Sequence, residues 1–332
     1  MRAALYRRPG PASEVLFVEE VLTPAPGPGE VRVRVAVSGV NPTDWKARSG
    51  AVPPPRAGGS DVQIPHQDGA GVIDAVGPGV DAGRVGERVW VYLAAAGRPG
   101  GTAAEYTVVP AERAARLPDG ASYELGASLG VPAMTAHRCV FADGPVAGRT
   151  VLVAGGAGAV GHFAIELARA AGATVVATVS GPDKGDLAKA AGAHHVVNYR
   201  SPDAADQIKA VTTGGVDRIV EVALAANLEL DLAVAAPNAT IVTYAATAEQ
   251  PSLPVRDLMT GNLLLRFVLL YTAPPEALTQ AARDITAAVE AGALTRLPTT
   301  AFPLDEVAAA QDAVERGAVG KVVVTVGETD LS

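Results

Sequence analysis

The stretch from Thr150 to Val179 constrains the fold of this chain more than any other feature. It begins with a short apolar strand pattern at 150–154, continues through a turn of small residues at 155–161, and then shows the spacing of a helix up to Ala171. A second, β-branched strand pattern follows at 174–179. Because strand and helix patterns keep alternating to about Leu270, the sequence predicts a doubly wound parallel sheet and an α/β fold.

The turn of small residues predicts a dinucleotide site. It includes Gly155, Gly158, Ala159, Val160 and Gly161. Small residues let the backbone approach a pyrophosphate, and the first turn of the following helix offers free N–H groups and a partial positive charge. The glycine spacing differs from the common G-x-G-x-x-G pattern, so an ordinary glycine-rich turn is the alternative. The order of strand, turn, helix and strand favours the coenzyme site.

The end of the second strand predicts which coenzyme binds. An NAD-dependent enzyme normally carries an acidic residue there, which binds the ribose 2′-hydroxyl. This chain has Ser180 at that point and Lys184 shortly afterwards, with Asp183 beside the lysine. Since a hydroxyl and a cation suit a 2′-phosphate, the sequence predicts NADPH rather than NADH. The alternative is that Lys184 is a solvated charge at the start of a helix.

Composition excludes several classes of protein. The formal net charge of -8 would repel a phosphate backbone, so no nucleic-acid partner is expected. No apolar run reaches the roughly 20 residues that a membrane helix needs. The first residues read as a strand rather than a signal peptide, so we expect a cytoplasmic enzyme. Cys139 is the single cysteine, which excludes an internal disulfide and a cysteine-rich zinc site.

The first third of the chain has the pattern of short strands separated by turns. Residues 31–37 alternate with period two, and further strand patterns follow at 69–77 and 87–92. The stretch from Ser49 to Pro65 reads as a loop, because its three consecutive prolines and paired glycines oppose regular structure. A loop of this length inside a compact domain is often functional.

Short motifs along nearly the whole chain carry a family resemblance. They are GVNPTD at 39–44, QDGAGV at 67–72, GERV at 86–89, AEY at 104–106, PAMTA at 132–136 and GKVV at 320–323. With the glycine turn, they make the sequence similar to the zeta-crystallin-like quinone oxidoreductases, the zinc-free branch of the medium-chain dehydrogenase/reductase superfamily. The resemblance implies a GroES-like, β-rich catalytic domain at 1–122 and 273–332, and a Rossmann NADPH-binding domain at 123–272.

The resemblance also implies further coenzyme contacts. Those for the adenosine 2′-phosphate are Ser180, Lys184, Tyr199 and Arg316. Those near the nicotinamide are Thr135, Thr243, Tyr244 and Leu269. Two more suitable side chains at the phosphate end, Tyr199 and Arg316, strengthen the prediction of NADPH.

For catalysis, the resemblance points to polar residues of the β-rich domain, Asn41, Asp44, Lys46 and Gln67. Zinc-dependent relatives have cysteine at the position of Asn41 and histidine at that of Gln67. Because amides are poor zinc ligands, we expect no metal site. Many relatives have tyrosine at the positions of Lys46 and Val52, and in the enoyl-thioester reductases of this superfamily the tyrosine at the latter position is thought to donate a proton. Here solvent or Lys46 would have to do so, unless Lys46 simply points to solvent.

Histidine offers no other metal site in the sequence. His194 and His195 are adjacent ahead of a strand pattern, so their side chains would point apart. We interpret both as ordinary loop and strand residues. The expected metal content is therefore none.

The sequence thus predicts an NADPH-dependent oxidoreductase that transfers hydride to a quinone or small conjugated carbonyl compound without zinc. An enoyl or enone reductase of secondary metabolism is the first alternative, which differs in the pocket and the protonation step. A non-catalytic NADPH-binding protein is the second. A homodimer is expected, because the apolar strand pattern at 263–270 could extend a sheet across two copies.

Overall fold

The computed structural model describes residues 1–52, 62–246 and 249–327. The prolines at 53–55 and the glycines at 58–59, which carried the prediction of a long loop, lie outside the described residues.

Strands make up much of the described chain. In chain order they are β1 Arg2–Leu5, β2 Phe17–Glu20, β3 Glu30–Val40, β4 Asp68–Val76, β5 Arg88–Val91, β6 Tyr106–Pro110, β7 Ala114–Arg116, β8 Thr150–Ala154, β9 Thr174–Val179, β10 His195–Asn198, β11 Val216–Glu221, β12 Ala235–Thr243, β13 Leu264–Phe267, β14 Thr299–Pro303 and β15 Lys321–Thr325.

The α-helices lie between these strands. In chain order they are α1 Ala12–Val15, α2 Pro42–Ser49, α3 Tyr123–Ser128, α4 Met134–Phe141, α5 Ala159–Ala170, α6 Pro182–Ala190, α7 Ala204–Val211, α8 Leu224–Val234, α9 Val255–Thr260, α10 Pro275–Glu290 and α11 Val307–Glu315. Each of them, within the described residues, is too short or too polar to cross a lipid bilayer.

The described residues form two compact units. The first contains the residues up to Val131, Ala282–Glu290 and those from Arg296 onwards; the second contains Pro132–Ala281 and Ala291–Thr295. Both main junctions lie nine residues later than the sequence predicted, at 131 against 122 and at 281 against 272. The first junction moves because α3 packs on β3 and β4 and so belongs to the first unit.

The first unit is built on a mostly antiparallel sheet. Its strand order is β14-β15-β3-β4-β5-β7, with β6 paired to β3. Strand β3 shows why the sequence folds this way, because Val31, Val33 and Val35 are buried while the residues between them are less so. Strand β15, from the end of the chain, pairs antiparallel with β3, and this register brings Lys321 into the same layer as Asn41 and Asp68.

The second unit contains a six-stranded parallel sheet. Its strand order is β10-β9-β8-β11-β12-β13, with all neighbours parallel. The chain adds strands on one side of β8 up to β10 and then on the other side from β11 onwards, so the strand order changes side between β8 and β11. This arrangement confirms the predicted α/β class. In sheets of this kind ligands bind at the carboxyl ends of the strands, at the point where the order reverses. The turn after β8 lies at that point.

Two predicted elements differ in the structure. The helical pattern at 123–142 predicts a uniform α-helix, whereas the structure keeps the segment helical but places a π-helical turn that contains Pro132, Leu129–Ala133, between α3 and α4. The strand predicted up to Leu270 ends at Phe267, and Leu269 follows it outside regular structure.

Candidate active site

The turn between β8 and α5 has the geometry of a phosphate cradle. The backbone of Gly155 has a φ of 69°, and its carbonyl oxygen accepts a hydrogen bond from the N–H of Gly158 at 2.9 Å. Gly158 is the N-cap of α5, so the helix begins directly at Ala159. The N–H of Gly156 donates to the carbonyl of Thr178 at 3.1 Å, which ties the turn to the end of β9.

Gly161 keeps this turn tightly closed against the helix. A Cβ atom at Gly161 would lie 2.3 Å from the carbonyl oxygen of Gly155, closer than real Cβ contacts come. The turn is therefore built for the close backbone approach that a pyrophosphate needs, and the first turn of α5 supplies free N–H groups. The predicted residues at 155 and 158–161 are brought together here, and they fit a dinucleotide.

The carboxyl end of β9 collects polar residues suited to a phosphate. Ser180 follows the strand directly, and Lys184 lies exposed in the first turn of α6. The backbone N–H of Tyr199 donates to the carbonyl of Val179 at 3.1 Å. Tyr199 directly follows β10, the neighbour of β9, so it lies beside the strand end that Ser180 follows. The guanidinium of Arg200 lies 5.8 Å from the centre of the Tyr199 ring. Arg200, a basic residue directly after Tyr199, is not among the residues predicted from the sequence.

The other predicted coenzyme residues are spread over both units. Thr135 is buried in α4, and Thr243 is buried at the end of β12. Tyr244 follows Thr243, and its N–H donates to the carbonyl of Glu221 at 3.2 Å. Leu269 is 56% exposed. Arg316 is exposed at the C-terminal end of α11 and belongs to the first unit.

A cluster of buried polar side chains lies in the first unit. The Lys321 ammonium donates to Oδ1 of Asn41 at 2.7 Å and to Oδ2 of Asp68 at 3.4 Å. The Asn41 amide, through Nδ2, donates to the same Asp68 oxygen at 2.7 Å. Burial raises the pKa of Asp68 and lowers that of Lys321, and the attraction between them opposes both effects.

Asp44 adds a second carboxyl group to this cluster. It is the third residue of α2, and its Oδ2 accepts the backbone N–H of Asn41, the N-cap, at 2.7 Å. Burial and the nearby charge of Asp68 raise the pKa of Asp44 to about 8, although N–H groups of Asn41 and His66 oppose the shift. The cluster thus keeps one carboxyl proton near neutral pH.

A series of hydrogen-bonded side chains leads from Arg48 to the backbone carbonyl of Asp68. Gln311 accepts from Nε of Arg48 at 3.0 Å and contacts Nε2 of His66 at 3.3 Å, and Nδ1 of His66 lies 2.9 Å from the Ser38 hydroxyl. From Ser38 the series continues through the Thr102 hydroxyl to the carbonyl of Asp68. Burial and the charge of Lys321 lower the pKa of His66 to about 3, so its ring is neutral.

Two predicted catalytic side chains, Gln67 and Lys46, make their contacts with residues outside this cluster. Gln67 is buried, but its Oε1 accepts the backbone N–H of Ala95 at 3.2 Å. Lys46 lies two residues beyond Asp44 on α2, about 200° around the helix, and its ammonium is 5.8 Å from the centre of the Trp45 ring. The structure therefore groups Asn41 with Asp44, and does not bring Lys46 or Gln67 into hydrogen bonds with them.

Sequence reasoning missed Asp68 and Lys321 as members of this cluster. Both are essentially fully buried, with side-chain exposures of 0% and 1%. Each stands at the start of an apolar strand, where a charged residue without a nearby partner in the sequence was the available signal. In the described part of the chain, no three His, Cys, Asp or Glu side chains are grouped closely enough to hold a metal ion.

A pair of buried carboxyl groups lies in the second unit. Glu221 ends β11, where its Oε1 accepts from the backbone N–H of Ala223 and from Nδ2 of Asn227 at 3.0 Å. The carboxyl group of Asp231 on α8 is also buried, and it interacts electrostatically with that of Glu221. Burial and the charge of Glu221 raise the pKa of Asp231 to about 9, so Asp231 keeps its proton at neutral pH.

Comparison with known proteins gives consistent matches. Residues 159–287 match the zinc-binding dehydrogenase family, and residues 27–119 match the alcohol dehydrogenase GroES-like domain. The quinone oxidoreductase of Lama guanicoe is 32% identical over 329 residues, 97% of each chain. The 2-haloacrylate reductase of a Burkholderia species is 32% identical over 333 residues, 97% of this chain and 98% of that one.

Solved structures match over the same extent. An NAD-dependent alcohol dehydrogenase superposes with a TM-score of 0.88 at 30% identity, covering 98% of this chain and 100% of that one. A mycobacterial protein complexed with NADPH superposes with a TM-score of 0.83 at 29% identity, with the same coverage. These neighbours support a pyridine nucleotide as coenzyme. They differ in which one, since the first is described as NAD-dependent and the second as complexed with NADPH.

Proposed function

Since the chain belongs to the zeta-crystallin-like quinone oxidoreductases of the medium-chain dehydrogenase/reductase superfamily, we propose that it reduces a quinone or small conjugated carbonyl compound with NADPH and without a metal ion. The chain is an oxidoreductase enzyme. When bound, the reduced nicotinamide supplies the hydride. The protein's own residues must hold the coenzyme, orient the acceptor and stabilise charge on the acceptor oxygen.

The observation that carries the proposal is the hydrogen bond from Lys321 to Asn41. It occupies the amide oxygen of Asn41 with a buried ammonium at 2.7 Å. A zinc ion at this oxygen would have to displace that ammonium or bind beside it, and two buried cations repel each other. Amide oxygens are also weaker zinc ligands than thiolate or imidazole. The polar centre of the first unit is thus suited to work without a metal ion.

The end of β9 supports NADPH as the coenzyme. Ser180 offers a hydroxyl, and two cations are offered by Lys184 in the first turn of α6 and by Arg200 two residues after β10. No carboxylate directly follows β9, where it would bind a ribose 2′-hydroxyl and repel a 2′-phosphate. Arg316 remains part of this proposal as a third cation.

A quinone is the first acceptor class that we propose. The 2-haloacrylate reductase relative supports a second class, alkenes conjugated to a carbonyl or carboxyl group, which includes the enoyl or enone substrates of secondary metabolism. Both classes present an oxygen that becomes more negative during reduction, and Asn41 can donate to it. Because the relatives are enzymes, a non-catalytic binding role is not favoured.

We also propose that the chain forms a homodimer through β13. This strand lies at the edge of the parallel sheet, paired with β12 in the described structure. Leu264 and Phe267 on it are 46% and 68% exposed, and Met259 just before it is 74% exposed. An apolar, unpaired edge is a template for pairing with a second copy.

The experiment is a steady-state assay with 9,10-phenanthrenequinone as acceptor. We expect a clear preference of the wild-type protein for NADPH over NADH in kcat/KM. The Lys184→Ala variant should lose about tenfold of that preference, because a charge-assisted hydrogen bond to a phosphate is removed. Lys189→Ala is the matched control, since Lys189 is exposed on the same helix and pairs with Asp186 at 3.6 Å.

Two results would contradict the proposal. An unchanged coenzyme preference in Lys184→Ala would show that this lysine does not bind the 2′-phosphate. Loss of activity on treatment with a chelator, with recovery on adding zinc, would show that the reaction depends on a metal ion.

A further inference from the structure

We infer that the buried Lys321–Asp68 ion pair is a positioning device that fixes the amide of Asn41 in one orientation, so that Asn41 acts as a hydrogen-bond donor to the acceptor oxygen. This inference deepens the proposed function and rests on it for the identity of the acceptor. Lys321 and Asp68 are positioning residues, since they act through Asn41.

The hydrogen bonds around Asn41 permit one amide orientation. Its Oδ1 faces the Lys321 ammonium at 2.7 Å, and its Nδ2 faces the Asp68 carboxylate at 2.7 Å. Rotating the amide by 180° would place the NH₂ group against the ammonium and the carbonyl against the carboxylate. Both of these contacts are repulsive, and burial makes them more costly than in water.

The two charged groups are themselves held in place. Oδ1 of Asp68 accepts the backbone N–H of Val131 at 2.8 Å, and its carbonyl accepts from the Thr102 hydroxyl. Lys321 is fixed by β15, which pairs with β3 through Val322 and Val40. The ammonium and the carboxylate therefore approach Asn41 from two separately anchored elements.

This arrangement decides what Asn41 can offer to a bound molecule. The ammonium draws electron density from Oδ1, which weakens the remaining lone pair as an acceptor and polarises the N–H bonds of Nδ2, and one of those two N–H groups is used for Asp68. The second hydrogen is left for the bound reactant, so Asn41 serves as a donor rather than an acceptor. A quinone or enone carbonyl oxygen accepts such a bond, and the bond strengthens as that oxygen becomes more negative.

A charge-neutral double substitution separates this positioning role from a structural one. We compare wild type, Lys321→Met, Asp68→Asn and the double variant Lys321→Met/Asp68→Asn. Each single variant leaves one buried charge without its partner, so we expect the thermal midpoint to fall by roughly 5–10 °C. The double variant removes both charges and should unfold close to the wild-type midpoint.

The decisive quantity is the activity of the double variant. With saturating NADPH and 9,10-phenanthrenequinone, we expect its kcat to stay about 10- to 100-fold below wild type, because the amide is no longer held in the donating orientation. The KM for the quinone and the affinity for NADPH should change little. A kcat that returns to within about twofold of wild type would overturn the inference, as would a double variant that cannot fold.

A matched control comes from the same sheet. Arg32 and Asp74 form an ion pair between β3 and β4 at 2.9 Å, away from Asn41 in their contacts. The Arg32→Met/Asp74→Asn variant removes an ion pair of the same charge and should keep the wild-type kcat. An equal loss of kcat in this control would show that the effect of Lys321 and Asp68 is general to the sheet.

A second readout does not depend on turnover. In ¹H–¹⁵N spectra of the whole protein, the side-chain amide signals of Asn41, identified by their absence in Asn41→Ser, should show slow hydrogen exchange in wild type and fast exchange in the double variant. Equal protection in both would overturn the inference. If wild type reduces no quinone with NADPH, the proposed function fails, whereas this measurement still decides whether the ion pair orients Asn41.

Discussion

At the scale of single residues, the glycine turn after β8 and the buried cluster around Asp68 both depend on atoms that come very close together. The carbonyl of Gly155 leaves no room for a side chain at Gly161, and the Asp68 carboxylate receives both Asn41 and Lys321 at hydrogen-bond range. The glycine turn was predictable because its residues are consecutive in the chain. The cluster around Asp68 was not, since 253 residues separate Asp68 from Lys321 and only the folded sheet brings them together.

Gly161→Ala tests the close approach in the glycine turn. We expect the added methyl group to push the turn away from α5, which lowers the affinity for NADPH at least about tenfold and destabilises the fold by about 1–3 kcal/mol. Coenzyme affinity is measured by fluorescence titration and stability by urea unfolding.

Gly185→Ala is the control for that substitution. A Cβ at Gly185 would lie 3.5 Å from Val196, an ordinary contact, and the residue is inside α6. The change should keep or raise stability, by up to about 1 kcal/mol, because alanine favours a helix. Equal NADPH affinity in wild type and Gly161→Ala would show that the turn does not contact the pyrophosphate.

At the scale of elements, local sequence patterns predicted most of the second unit. The pattern at 150–179 gave the correct order of β8, α5 and β9, because hydrophobic period and glycine position are local properties. Element ends were less predictable: the apolar strand pattern at 263–270 forms the shorter strand β13, Leu264–Phe267. Helix α8 carries a feature that its sequence does not reveal, the buried carboxyl group of Asp231.

Asp231 makes the stability of this unit depend on pH. Its pKa in the folded protein is about 9, above that of an unfolded aspartate, so the folded state keeps a proton that the unfolded state loses. Stability therefore falls as the pH rises from neutral towards 9. We expect Asp231→Asn to flatten the decline by about 1 kcal/mol per pH unit, measured as the free energy of unfolding in urea between pH 6 and 9.

Glu229→Gln is the matched control, because Glu229 is exposed on the same helix. It should leave the slope unchanged. Asp44, whose pKa is raised to about 8, adds a decline of the same sign, so some pH dependence should remain in Asp231→Asn. A wild-type stability that rises from pH 7 to 9 would contradict this account.

At the scale of the whole molecule, the parallel sheet ends in an exposed apolar edge. Strand β13 was predicted from the sequence as an apolar strand, and the structure shows that it is the last strand of the sheet. Which strand lies at an edge depends on the order of the sheet, so this could not be established from the strand's own residues. The proposed dimer depends on this position.

Phe267→Glu tests the dimer. Phe267 is 68% exposed on β13. A carboxylate there would repel the same carboxylate of the second copy, or would reduce the apolar contact area between the two copies. We expect light scattering after size exclusion to show twice the chain mass of 33.5 kDa for wild type and the single mass for the variant. Leu22→Glu is the control, since Leu22 is 94% exposed in the other unit and should not change the mass. A wild-type mass of one chain would refute the dimer.

The use of β15 as a partner for β3 has a consequence for how the protein is made. Synthesis proceeds from the N-terminus, so Asn41 and Asp68 leave the ribosome long before Lys321. Until β15 is released, Asp68 lacks the cation that balances it and Asn41 lacks the donor that orients it. The centre of the first unit is therefore completed only after residue 321 has left the ribosome, and a nascent chain stopped before that residue would lack it.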